Sequence, residues 1–158
     1  MIRTFTKALM LLVLCAATFS ACKKDKDDNN ASGQLSANVG GTAFVPATVT
    51  GLSYSTEVII AGYQIKSGDT TVLSLSIPST ATATSVFDFD DVDVDYYNSK
   101  SDYTSISSKS HGTLSVTTFD KTGKKIAGKF SGVLYQWGNS ADSVIVKDGQ
   151  FNTTYQTF

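Results

Sequence analysis

The chain has 158 residues, with thirteen Lys and Arg against fourteen Asp and Glu, one His and two Cys. That length suits one ordinary domain, and a near-neutral charge without a basic stripe excludes nucleic acid as a partner, since phosphate binding draws on clustered Lys and Arg. Ser, Thr, Gly, Asp and Tyr are plentiful while Leu, Glu and Arg are scarce, which favours strands and turns over helices.

Arg3 and Lys7 introduce an apolar run over residues 8–17. About ten apolar residues match a signal-peptide core and fall short of the roughly 20 needed to span a bilayer. Small residues follow, and Phe19-Ser20-Ala21-Cys22 resembles the lipobox of bacterial lipoproteins, with Phe where Leu is more usual. The resemblance implies that residues 1–21 are a cleaved signal and that Cys22 becomes the lipidated first residue, carrying acyl chains such as palmitate in the outer membrane. Cys15 would leave with the signal, so Cys22 would be the single thiol of an exported chain, and lipidation accounts for it. Two or three acyl chains anchor stably where one holds only marginally. Loss of Arg3 and Lys7 would leave eleven basic and fourteen acidic residues, a net charge of −3.

Residues 22–33 contain no apolar side chain larger than Ala beyond Cys22 itself. Nothing there offsets ordering entropy, so they read as a disordered tether. The Lys/Asp run after Cys22 also resembles the export signal that carries lipoproteins of Bacteroidota to the cell surface; a solvated spacer is the plainer alternative.

Residues 34–158 read as one antiparallel β domain. Val58 to Ile65 alternates, with Ile59, Ala61, Tyr63 and Ile65 on one face, and Thr71 to Ile77 alternates with Leu73, Leu75 and Ile77 on one face. Ser67-Gly68-Asp69 between them predicts a hairpin, and Pro78 ends the second strand. A second hairpin is predicted from Gly112 to Phe119, through Asp120-Lys121-Thr122-Gly123, into Lys124 to Leu134. Leu114 and Val116 would face Ile126 and Phe130, and Gly128 leaves room for a neighbouring side chain or a bulge. Asp148-Gly149 predicts a tight turn joining a last pair, Ser143 to Lys147 and Gln150 to Tyr155. No stretch of ten residues after the signal has helical periodicity. The fold expected is a β-sandwich or flattened β-barrel of about eight to ten strands.

Several blocks in this domain resemble an uncharacterised domain family of Bacteroidota lipoproteins. They are Asn38-Val39-Gly40-Gly41-Thr42-Ala43-Phe44, Gly112-Thr113-Leu114-Ser115-Val116-Thr117, Phe119-Asp120, Ile126-Ala127-Gly128-Lys129-Phe130 and Asp148-Gly149-Gln150-Phe151. Where that family often has a second aromatic after the Gly-x-Phe block, this chain has Gly132. The resemblance implies a small all-β lipoprotein domain and transfers no catalytic residue.

Asp91, Asp93 and Asp95 alternate with Val92, Val94 and Tyr96, which on a strand lines three carboxylates about 7 Å apart. Ca2+ needs ligand oxygens much closer together, so a site requires a loop here; the alternative is a solvated strand face that protects an edge. An EF-hand register from Asp91 fails because Tyr96 occupies the Gly position. His111 is the single His, and Gly51-Leu52-Ser53-Tyr54-Ser55 and Gly138-Asn139-Ser140-Ala141-Asp142 each lack the last Gly of a nucleophile elbow. One His without a free Cys makes no zinc site. Tyr54, Tyr96, Tyr97, Tyr103, Tyr135 and Trp137 supply aromatic faces on which a sugar or another ligand can stack, and Tyr135-Gln136-Trp137 reads as a loop platform.

These features converge on a non-catalytic envelope module, held to the membrane through Cys22 and presenting a surface to a glycan or an envelope protein. A Ca2+-stabilised accessory domain is the rival reading. A hydrolase with an unrecognised carboxylate site comes third.

Overall fold

A computed structural model describes residues 33–158; the expected signal, Cys22 and nearly all of the expected tether lie outside the described residues. Twelve strands and no helix occur among them. They are β1 (Gln34–Val39), β2 (Thr42–Phe44), β3 (Thr48–Ser53), β4 (Glu57–Lys66), β5 (Asp69–Pro78), β6 (Val86–Asp88), β7 (Asp93–Asn98), β8 (Ser101–Thr104), β9 (His111–Asp120), β10 (Lys125–Gln136), β11 (Asn139–Thr154) and β12 (Gln156–Thr157). The count exceeds the eight to ten expected because β2, β6 and β12 are two or three residues long and carry no alternation to read.

All twelve belong to one mixed sheet, sandwich-like and not closed into a barrel. One half runs β12-β3-β4-β5-β7-β8 and the other β6-β9-β10-β11-β1-β2. They meet where Tyr135 and Gln136 of β10 pair with β8, and again where the chain leaves β11 and lies parallel to β3 as β12. Leu35, Phe44, Val58, Ile60, Leu73, Leu75, Ile77, Val94, Leu114, Ile126, Phe130, Leu134, Val146 and Phe151 fill the interior. Each such side chain contributes roughly 1.5–3 kcal/mol by leaving water.

The β4–β5 hairpin forms where expected, through a two-residue turn with Ser67 and Gly68 at φ 51° and 87°. This left-handed pair matches the twist of the flanking strands. The buried side of β5 is Leu73, Leu75 and Ile77, as the alternation indicates, but β4 buries Val58, Ile60 and Gly62 and turns Ile59, Ala61, Tyr63 and Ile65 outward. Both sets on β4 are apolar at most positions, so alternation alone does not choose between them. Gly62 decides it: Pro46 and Leu35 pack so close that a Cβ at residue 62 would lie 2.7 Å from the Pro46 ring.

The β9–β10 hairpin also forms, with Leu114 opposite Phe130, Val116 opposite Gly128 and a bulge beside Gly128. Asp120 Oδ1 accepts from the Thr122 and Gly123 amides, and the residue at positive φ is Lys124 rather than Gly123. The predicted Asp148-Gly149 turn is not a turn. β11 continues through it, paired with β10 on one side and β1 on the other, and the ladder skips one residue on both sides. Asp148, at φ 53°, is the extra residue of this bulge.

Gly112 and Gly132 face each other across β9 and β10 and leave an inward slot. The ring of Phe89, 2% exposed, fills it, within 2.6 Å of where either Cβ would stand. The aromatic that the strand lacks at residue 132 is thus supplied by the connection between β6 and β7.

Candidate functional site

The outward face of β3, β4, β5, β7 and β8 carries exposed aromatic and polar side chains in rows set by strand register. Directly opposed residues on an antiparallel ladder point to the same side of the sheet. Thr48, Tyr63, Val72, Tyr97 and Asp102 therefore form one row across five strands. Tyr63 is 46% exposed and Tyr97 49%, with the half-buried Val72 between them. Two strand spacings separate the tyrosines, about 10 Å.

The adjoining row is Thr50, Ala61, Ser74, Asp95 and Thr104, and the next is Leu52, Ile59, Ser76 and Asp93. The Ser74 hydroxyl and the Asp95 carboxyl thus lie one residue pair away from the two rings, while Thr104 at the end of that row is buried. Burial pushes the Asp95 carboxyl above its ordinary range; a hydrogen bond from Thr104 opposes this, and Asp93 and Asp102 add to it. In the lower row the Ser76 hydroxyl donates to Glu57 Oε2.

The structure separates the three aspartates singled out from the sequence. Asp91 lies in the bend before β7, while Asp93 and Asp95 stand on its outward face. No group of three or more His, Cys, Asp or Glu side chains suited to a metal ion occurs among the described residues. The loop geometry that Ca2+ would need is absent because β7 has already started at Asp93.

Tyr135 and Trp137 have different surroundings. Tyr135 is half-buried with the Lys109 ammonium 5.9 Å from its ring centroid, and its amide donates to Ser110 Oγ. Trp137 is 63% exposed at the β10–β11 turn, where its amide donates to the Asp102 carbonyl. Tyr96 and Tyr103 pack against the core at 6.2 Å centroid separation, and the Tyr103 hydroxyl donates to Asp142 Oδ2. Tyr54 stacks on Phe158. His111 Nδ1 lies 3.0 Å from the Lys109 carbonyl, and the Ser53 hydroxyl donates to the neighbouring Tyr54 carbonyl. Of the aromatics read from the sequence, Tyr97 alone joins the exposed row. Alternation places Tyr63 on one face with Ile59, Ala61 and Ile65 without saying which way that face points; the signal that turns it outward is Gly62 beside it.

Two clefts of about 460 and 490 Å3 flank the bulge on the other half of the sheet, and Lys147 and Asp148 line both.

The sequence model of a domain of unknown function, DUF5025, matches residues 56–154. The chain belongs to the DUF5025 family. The matched segment begins just before β4 and ends with the last residue of β11, so the DUF5025 match includes Tyr63, Val72, Asp95 and Tyr97. No curated protein and no solved structure matches the chain.

Proposed function

We propose that this DUF5025 protein is a non-catalytic lipoprotein of the bacterial cell envelope, of the kind found in Bacteroidota, that binds glycan on the Tyr63–Val72–Tyr97 face. Residues 1–21 act as its signal, Cys22 carries the lipid, and the outer membrane holds it. The charged run after Cys22 favours the cell surface.

The observation that carries the binding reading is the register itself: two half-exposed tyrosines flank Val72 in one row, with Ser74 and Asp95 in the row beside it. Tyrosine rings stack on the apolar faces of sugars, and neighbouring hydroxyls and carboxylates bond the sugar hydroxyls and set orientation. Buried tyrosines would serve packing alone; these two are about half exposed, and no strand among the described residues covers them.

The test is affinity electrophoresis of wild type and the Tyr63→Ala/Tyr97→Ala double variant in gels containing envelope polysaccharide fractions. Wild type is expected to be retarded by at least one fraction, and the double variant to migrate freely while its melting temperature stays close to wild type. Unretarded wild type in every fraction would sink the glycan reading.

A further inference from the structure

On the outward face of β3, β4, β5, β7 and β8, spacing and charge narrow the class of ligand. Tyr63 and Tyr97 share a row with Val72 between them, so their α-carbons lie two interstrand steps apart, about 10 Å. The row beside it is low on β4 and β5, where Ala61 and Ser74 carry small side chains, and it reaches Asp95 on β7. Glu57, Asp93, Asp95 and Asp102 all belong to this face, and no outward position on the five strands is Lys or Arg. Lys66 and Lys100 stand in or beside the adjoining turns, but with Asp69 next to them acids still outnumber bases. The Lys66 ammonium, moreover, already donates to the Ala43 carbonyl.

We infer that this row takes an extended, uncharged β-1,4-linked hexose chain, laid across the strands and stacked on Tyr63 and Tyr97 through every second unit. The inference rests on the glycan reading above and names the class of glycan. In a β-1,4-linked chain each hexose is flipped relative to the one before it. Every second unit therefore presents the same face, and this repeat has a length close to the separation of the two tyrosines. The unit between them meets Val72, whose short side chain leaves room for a flipped sugar. An α-1,4-linked chain curls and cannot set two such units along one straight row. Ser74 and Asp95, one residue pair away, supply a hydroxyl and a carboxyl to the hydroxyls along the edge of the chain. A uronate chain of the same linkage would instead bring carboxylates against Asp95 and Asp102, and like charges placed together oppose binding. Ring spacing thus selects the linkage, and the sign of the face rejects anionic chains.

The experiment is frontal affinity chromatography of defined oligosaccharides on the immobilised full chain, as wild type, Tyr97→Ala and Tyr97→Phe. At least one of cellohexaose and chitohexaose, built from glucose and N-acetylglucosamine, is expected to bind wild type, and the tighter of the two identifies the unit. It should bind about tenfold more tightly than maltohexaose, which changes the linkage, and than the hexamer of β-1,4-mannuronate, which keeps the linkage and adds charge. A trisaccharide is the shortest chain that reaches both rings. It should bind roughly three- to tenfold more tightly than its disaccharide, the gain of one stacking contact. Tyr97→Ala should remove that step and Tyr97→Phe should keep it, with melting temperatures close to wild type. Maltohexaose or the mannuronate hexamer bound as tightly as the β-1,4 hexamer overturns the inference, as does wild type that binds neither β-1,4 hexamer. A trisaccharide step absent from wild type, or surviving in Tyr97→Ala, overturns it as well. The broader glycan reading falls on a separate result, wild type that passes every polysaccharide fraction unretarded.

Discussion

Asp95 stands on an open sheet face, yet its carboxyl titrates above its ordinary value near 3.8 because burial, Asp93 and Asp102 outweigh the Thr104 bond. The folded chain therefore holds this proton to higher pH than the unfolded chain. Between the ordinary and the raised value, stability falls as pH rises. Asp95→Asn is expected to raise the melting temperature at neutral pH, with the gain disappearing below about pH 3.8, where both states of the wild type are protonated; unchanged melting at neutral pH would contradict the assignment. The sequence marked this residue as one of three acids with equal standing, since alternation reveals a shared face but not the depth of each member. Gly132 was visible as a departure from the family pattern. Its reason was not, because Phe89 reaches it from a connection 43 residues earlier in the chain.

Among the elements, the hairpins with left-handed turns or Asp-capped turns were legible because their chemistry is local. Asp148-Gly149 has the same local chemistry and a different outcome. Competition explains it: β10 pairs along nearly all of β11 and β1 pairs with it on both sides of Asp148, so a bulge that keeps both ladders is preferred to a hairpin that would break them. Gly149 fits there because its α-carbon lies against Phe130, where a Cβ would be 2.5 Å from the backbone oxygen. Gly149→Ala should cost about 1–3 kcal/mol, as overpacked sites do, read as a lower urea midpoint. Asp148→Gly, at a left-handed φ that Gly adopts freely, should leave the midpoint near wild type. Which face of β4 is buried has a different origin. Both of its sides are apolar, and the deciding contacts come from Leu35 and Pro46, elements away in sequence.

Across the whole molecule, fold class was readable from period-two patterning and turn residues, whereas the candidate face was not, because its rows exist only once β3, β4, β5, β7 and β8 are in register. The proposed anchor has its own prediction at this scale. Cys22→Ala is expected to abolish labelling by a radioactive or clickable fatty acid and to move the protein from the membrane to the soluble fraction; continued membrane retention would refute it. Membrane sorting also bears on the way the sheet is ordered. Ser36 of β1 meets Gln150 of β11 at a sequence separation of 114, and β3 finds its β12 partner only in the final residues. Such distant pairings close late and fold in milliseconds to seconds. A nascent chain lacking its last twenty residues would therefore leave β1 with only the three-residue β2 beside it and the interior open to water. Export machinery that threads unfolded polypeptide would meet a substrate that stays threadable until synthesis is nearly complete.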